Sequence, residues 1–259
     1  MNESLKDLAS SMLLQNHASD RSDVDKNPEY NIPLEEFFTL AVSVDCVVFG
    51  FDGKELKVLL IQRGVSPYLH HWALPGDLVY PKENLDDAAR RVLKDLTGIQ
   101  DIFMQQIKSF GAINRHPLGR VITVAYIALI RIDRYAAHAS SWAESMEWHS
   151  LSGIKDLAFD HDQILEKAVE KLKSRVRKEP LGFELLPKKF TLNELQMLYE
   201  AVLDTKFDKG NFRKKILSMN LLVDLKELQR NVAHRPAKLF RFDSERYSEL
   251  RDHGFSFEL

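Results

Sequence analysis

The chain has 259 residues, 44% of them hydrophobic and 29% charged, with 36 Lys or Arg against 38 Asp or Glu. That composition belongs to a globular protein with room for one large domain or two modest ones, and it excludes collagenous and low-complexity classes. A formal charge of -2 gives no global footprint for nucleic acid, so any such surface must come from local clustering.

A single cysteine, Cys46, rules out an internal disulfide framework and suits a reducing compartment. It lies in an apolar run and is expected in the core. No stretch reaches the length of a membrane span, and the N-terminus lacks the basic-then-apolar form of a signal peptide. A cytoplasmic protein without membrane contact is therefore expected.

Residues 1–36 are polar and acidic, with a short amphipathic stretch at Leu5, Leu8, Met12 and Leu13, and read as a peripheral arm. From Phe37 the pattern changes. TLAVSVDCVVFGF and ELKVLLIQR are strand-like, with a hairpin signal at Asp52–Gly53 between them. VSPYLHHWALPGDLV follows as a loop. Its His70 and His71 are adjacent and point apart, which fits polar loop roles better than a shared metal.

GDLVYPKENLDDAARRVLKDLTGI reads as a glycine loop and a helix. Asn84 is a suitable N-cap, Asp86 and Asp87 complement the helix dipole, and Gly98 suits a left-handed C-terminal stop. Leu85, Ala88 or Ala89, Val92 and Leu96 recur at helical spacing. Two further strands, FMQQIKSFGAINR and RVITVAYIALIRI, are joined by HPLG, and Trp148 marks a late strand. Arg63, Arg115, His116 and Arg120 fall at strand ends or in this loop, where they are candidates for binding phosphate or hydroxyl groups. HDQILEKAVEKLKSRVRKEP carries Ile164, Leu165, Ala168, Val169, Leu172 and Val176 on one helical face and is ended by Pro180.

After an irregular bridge, GFELLPKKF, a helix opens with Thr191 and Glu194 in capping-box register. Asp208 is placed to cap a second helix, NFRKKILSM. It should hide Phe212, Ile216 and Met219 while Asn211, Arg213, Lys214 and Lys215 face out. Two short strands then flank a polar tip with Arg230, His234, Arg235 and Lys238. Between Lys188 and Arg241 there are twelve Lys or Arg against six Asp or Glu. Two helices, a basic second helix and a basic hairpin, in that order, describe a winged helix-turn-helix that contacts double-stranded DNA through those residues.

Gly76, Glu83, Arg91, Leu93, Gly98 and Ile99 resemble the Nudix box, with one extra residue between Gly76 and Glu83. The box carboxylates, which hold magnesium on a diphosphate in the family's enzymes, are replaced here by Val92, Asp95 and Leu96. One acid cannot do the work of three oxygen ligands, so no catalytic residue, metal or cofactor is expected. Taken with GFELLPKKFTLNELQMLYEAV, DKGNFRKKIL and HRPAKLFRF, the chain resembles the Nudix-related transcriptional regulators, which include regulators of NAD metabolism and of sugar catabolism.

That resemblance implies an α+β chain: a Nudix-like α/β/α sandwich with a mixed sheet, followed by a C-terminal winged helix-turn-helix. The expected divisions are an arm 1–36, an effector domain 37–183, a DNA-binding domain 184–245 and a tail 246–259. It further implies a homodimeric repressor on a palindromic operator. The effector would sit in the Nudix cavity near Arg63, Trp72, Gly76, Arg115, His116 and Arg120. A sugar such as arabinose or an ADP-ribose-like nucleotide would serve, and the lost metal acids favour the neutral sugar. The competing readings are a Nudix pyrophosphatase acting on ADP-ribose and an interaction module whose basic domain meets an acidic protein.

Overall fold

The computed structural model describes residues 39–135, 138–230 and 235–259; the expected arm and His234 lie outside them. Ala41–Leu259 form one compact unit. Its frame is a mixed sheet. β1 (Ala41–Phe51) runs parallel to β6 (Val121–Arg131) along its whole length, and β5 (Met104–Phe110) flanks β6 antiparallel. On the other side β1 has two partners. β2 (Leu56–Arg63) pairs with it only at Phe49–Phe51, while β4 (Gly76–Leu78) pairs at Ser43–Asp45. Short β3 (Trp72–Ala73) and long β7 (Ala143–Ser150) continue the sheet from β2. The divergence of β1 and β2 opens the space in which the site lies.

Side chains of β1 alternate across the sheet, as a strand's period of two requires. Val44, Cys46 and Val48 join the cluster under α1 (Leu85–Thr97), whereas Val47, Phe49 and Phe51 join the cluster under α2 (His161–Val176). This is the expected sandwich, with Cys46 in the core. Asn84 occupies the N-cap of α1 but does not cap it with its side chain, which donates to Asp87 instead (3.1 Å). Gly98 does stop the helix in the left-handed region, at φ 72°.

The α2-side cluster continues into the C-terminal elements. α3 (Leu192–Leu203) and α4 (Lys209–Ser218) contribute Leu195, Leu198, Tyr199, Phe212 and Ile216 to the same core as Val47 and Phe49. The bridge coils into a 3₁₀ turn at Leu181–Leu185, and Phe190 then exchanges two backbone hydrogen bonds with Phe240 of β9 (Lys238–Phe242), the partner of β8 (Leu222–Leu228). Residues 246–259 are more than a tail. α5 (Ser244–Asp252) packs through Tyr247 and Leu250, and Phe257 is fully buried against Tyr199. Among the described residues no helix is long and apolar enough to cross a membrane.

Candidate functional site

The gap between β1 and β2 encloses a cavity of about 370 Å³ lined by Ser43, Asp45, Arg63, Gly76, Asp77, Arg115, His116, Trp142, Phe159 and His161, among others. Four of the six expected effector residues, Arg63, Gly76, Arg115 and His116, meet there. Trp72 and Arg120 do not. Trp72 packs on the α2-side core with its ring against His149, and Arg120 is exposed with its guanidinium on the Gly111 carbonyl (2.7 Å).

The floor is a buried polar network. Arg115 clamps Asp160 with two hydrogen bonds (3.0 and 2.7 Å) and reaches Asp45 at 3.4 Å. That commits its Nε and one terminal nitrogen to carboxylates within the protein. The Leu74 amide donates to His161 Nδ1 (3.0 Å), which places the ring proton on Nε2, 3.3 Å from Asp45 Oδ1. Burial alone would push the Asp45 carboxyl up, but His161 and Arg115 outweigh it and hold it below the usual carboxylate range. Gly76 is required by close approach, since a Cβ there would stand 1.9 Å from Asp45 Oδ1.

The walls are aromatic. His116 stacks on Phe159 (5.1 Å, 12° between planes), and Tyr68 leans on the same ring at 4.6 Å. Arg63, only 8% exposed, lies between Trp142 and Phe159, each centroid 4.9 Å from its Cζ, with Nε donating to the Pro67 carbonyl (2.8 Å). Burial lowers the pKa of His116, and the neighbouring Arg115 and Arg63 add to the effect.

Among the described residues no group of three or more His, Cys, Asp or Glu is placed to hold a metal ion. Val92 and Leu96 are buried in the core, and Asp95 faces outward, 3.9 Å from Arg91. Glu83 and Arg91 instead form a brace, bonded twice at 2.9 and 2.6 Å. Arg91 also holds the Leu78 carbonyl and covers the Tyr80 ring. His70 pairs with Glu144 (2.8 Å), and His71 bonds the Leu69 carbonyl.

The second functional surface is built by α3, α4 and the β8–β9 hairpin. Thr191 and Glu194 form the full capping box, and Asp208 caps α4 by accepting from the Asn211 amide (2.8 Å). Gln196 and Glu200 hold Phe207 by its carbonyl and amide (both 3.0 Å), fixing the turn between the helices. Phe212 and Ile216 face inward; Asn211, Lys214 and Lys215 are exposed. Arg213 is half-buried, with Nε enclosed and without a hydrogen-bond partner. Arg230 and Arg235 are exposed on the hairpin, while Lys238 pairs with Asp224 (3.3 Å).

These two surfaces match known protein families. The NUDIX domain matches residues 39–171, and the NrtR DNA-binding winged helix domain matches residues 182–242. An ADPR responsive transcriptional repressor NtrR from Acinetobacter baylyi is 36% identical over 220 residues, 83% of this chain and 85% of that protein. The chain belongs to the NrtR family of Nudix-related regulators. The structure of Shewanella oneidensis NrtR complexed with a 27mer DNA aligns with TM-score 0.67 at 29% identity, covering 83% of this chain and 97% of that one. The NUDIX domain of the same NrtR, complexed with ADP ribose, aligns with TM-score 0.50 at 31% identity, covering 55% and 94%. The A. baylyi repressor is named for its response to ADPR and the S. oneidensis NUDIX domain was co-crystallised with ADP ribose, against the expectation of a neutral sugar such as arabinose.

Asp45, Asp77, Trp142, Phe159, Asp160 and His161 escaped the sequence reading. Asp45 alone left a signal there: a single acid in an otherwise apolar strand. The others come from three stretches, at Asp77, Trp142 and Phe159–His161, that only the fold brings together.

Proposed function

We propose that this chain is an ADP-ribose-responsive transcriptional repressor that binds a palindromic operator as a homodimer and does not hydrolyse its effector. The observation that carries the reading is a cavity kept intact beside a Nudix helix whose metal positions hold the core residues Val92 and Leu96. Such a site keeps recognition and loses the donors for diphosphate chemistry.

Residues 37–183 act as the effector module, with ADP-ribose against Arg63, Gly76 and His116. Residues 184–245 act as the DNA-binding module. Asn211, Arg213, Lys214 and Lys215 enter the major groove, and Arg230, Arg235 and Lys238 of the hairpin lie along phosphates. The repressor works where its DNA is, in the cytoplasm. The A. baylyi repressor and the two S. oneidensis complexes support this assignment. A fluorescence-anisotropy titration with the DNA upstream of the protein's own gene tests it. Binding should weaken as ADP-ribose is added and ignore arabinose; indifference to ADP-ribose rejects the reading.

A further inference from the structure

The Nudix fold implies a divalent cation beside the box helix, and the residues present do not fit one. Val92 and Leu96 are each 1% exposed in the core, and Asp95, the remaining acid of the trio, is turned outward toward Arg91. A hard cation needs several oxygen donors at one point. The cavity offers positive charge in another form.

Arg63 closes β2 with its side chain inside the cavity wall. Its Nε is satisfied by the Pro67 carbonyl, and its plane is gripped by Trp142 and Phe159. Beyond that contact, no hydrogen bond among the described residues engages its two terminal nitrogens. Arg115, the other guanidinium of the cavity, is already committed to Asp160 and Asp45. Asp77, the acid on the same wall, is turned to the Leu78 amide (2.7 Å) and the Trp142 indole (3.5 Å). A fixed, planar fork with two open nitrogens suits an oxyanion, because both bonds form without ordering a flexible side chain.

We propose that Arg63 seats the phosphate groups of the effector directly, so that this protein binds its nucleotide without a divalent cation. The inference rests on the effector reading above. Burial works against the charge of Arg63, with Asp77 and Asp45 opposing that effect, and an arriving phosphate adds a further counter-charge. Phe159 and the His116 stacked on it line the cavity beside that charge, so the apolar part of a nucleotide would lie against aromatic rings.

Calorimetric titration of the full chain with ADP-ribose, once with magnesium and once in excess EDTA, tests the proposal. Adenosine serves as a phosphate-free probe. The dissociation constants for ADP-ribose should agree within about twofold in the two buffers. Arg63→Gln should weaken ADP-ribose by about 10- to 100-fold and leave adenosine unchanged. If Arg63→Gln fails to fold, Arg63→Lys replaces it, with a smaller loss again confined to ADP-ribose. Binding that vanishes in EDTA and returns with magnesium overturns the inference while leaving the effector reading intact. So does wild-type affinity in both variants. No binding in either buffer overturns both.

Discussion

Asp45 on β1 and His161 in the first turn of α2 meet at 3.3 Å beneath the cavity floor, joining the sheet to the helix that packs on the winged helix module. Arg115 reinforces the joint through Asp160, the N-cap residue of α2. Both side chains of that pair are nearly closed to solvent, and removing Asp160 leaves the buried Arg115 charge with the more distant Asp45 alone. Asp160→Ala should therefore destabilise the fold by about 3–5 kcal/mol, read as a fall in melting temperature.

The same joint predicts a pH dependence. The folded pKa of Asp45 lies below its unfolded value, so its contribution is fully present above the ordinary aspartate pKa of about 3.9. It is lost as pH falls through the lower folded value. The gap in melting temperature between wild type and Asp45→Asn should thus be widest near neutrality and close only in acid. A gap that does not change with pH removes Asp45 from the account.

Purified protein should not turn over ADP-ribose with magnesium. Restoring the box acids should not help. Val92→Glu or Leu96→Glu puts a carboxylate among the side chains of the α1-side core, at a cost of several kcal/mol by order of magnitude. Lowered melting temperature without gain of phosphate release is the expected result. Turnover in the wild type that disappears in Asp95→Ala contradicts it.

Reading of bases and anchoring on phosphates separate by variant. Arg213→Ala should cost about 1–3 kcal/mol on the operator and much less on random DNA. Because Arg213 is half-buried, its melting temperature is measured in parallel, so that lost packing is not mistaken for lost readout. Arg235→Ala should weaken both DNAs by similar factors and lower the salt slope by about one. Equal losses on the two DNAs for Arg213→Ala move it to the phosphate-contacting class.

Effector and operator should each weaken the other by the same factor, about 5–150-fold, since coupling free energy is reciprocal. Titrating ADP-ribose into free protein and into the operator complex measures it from both sides. ADP-ribose that binds the protein yet leaves operator affinity unchanged at any concentration contradicts the coupling.

What could be read from sequence was what depends on local pattern. The alternation in β1, the helical face of α2, and the caps at Thr191 and Asp208 each lie within one segment and follow a short-range rule. The cavity does not. Arg63 and His116 carried a chemical hint, yet their neighbours Trp142 and Phe159 arrive from elsewhere in the chain. Arg115 shows the limit most clearly. Its residue type suggested a ligand contact, but Asp45 and Asp160, 70 and 45 residues away, claim its charge. The packing of residues 246–259 was also hidden, because Phe257 meets Tyr199, a residue far away in the chain.

Trp142 gives the cavity an optical reporter. Of the three tryptophans, it is the one whose indole borders the cavity, with the Arg63 guanidinium 4.9 Å from its ring and the Asp77 carboxylate near its N–H. An indole between a fixed cation and a fixed anion emits in a strong local field, and an anion settling on Arg63 changes that field. A Trp72→Phe, Trp148→Phe chain would keep this single emitter. Occupancy of the cavity could then be followed by fluorescence, without label or DNA, on the timescale of mixing.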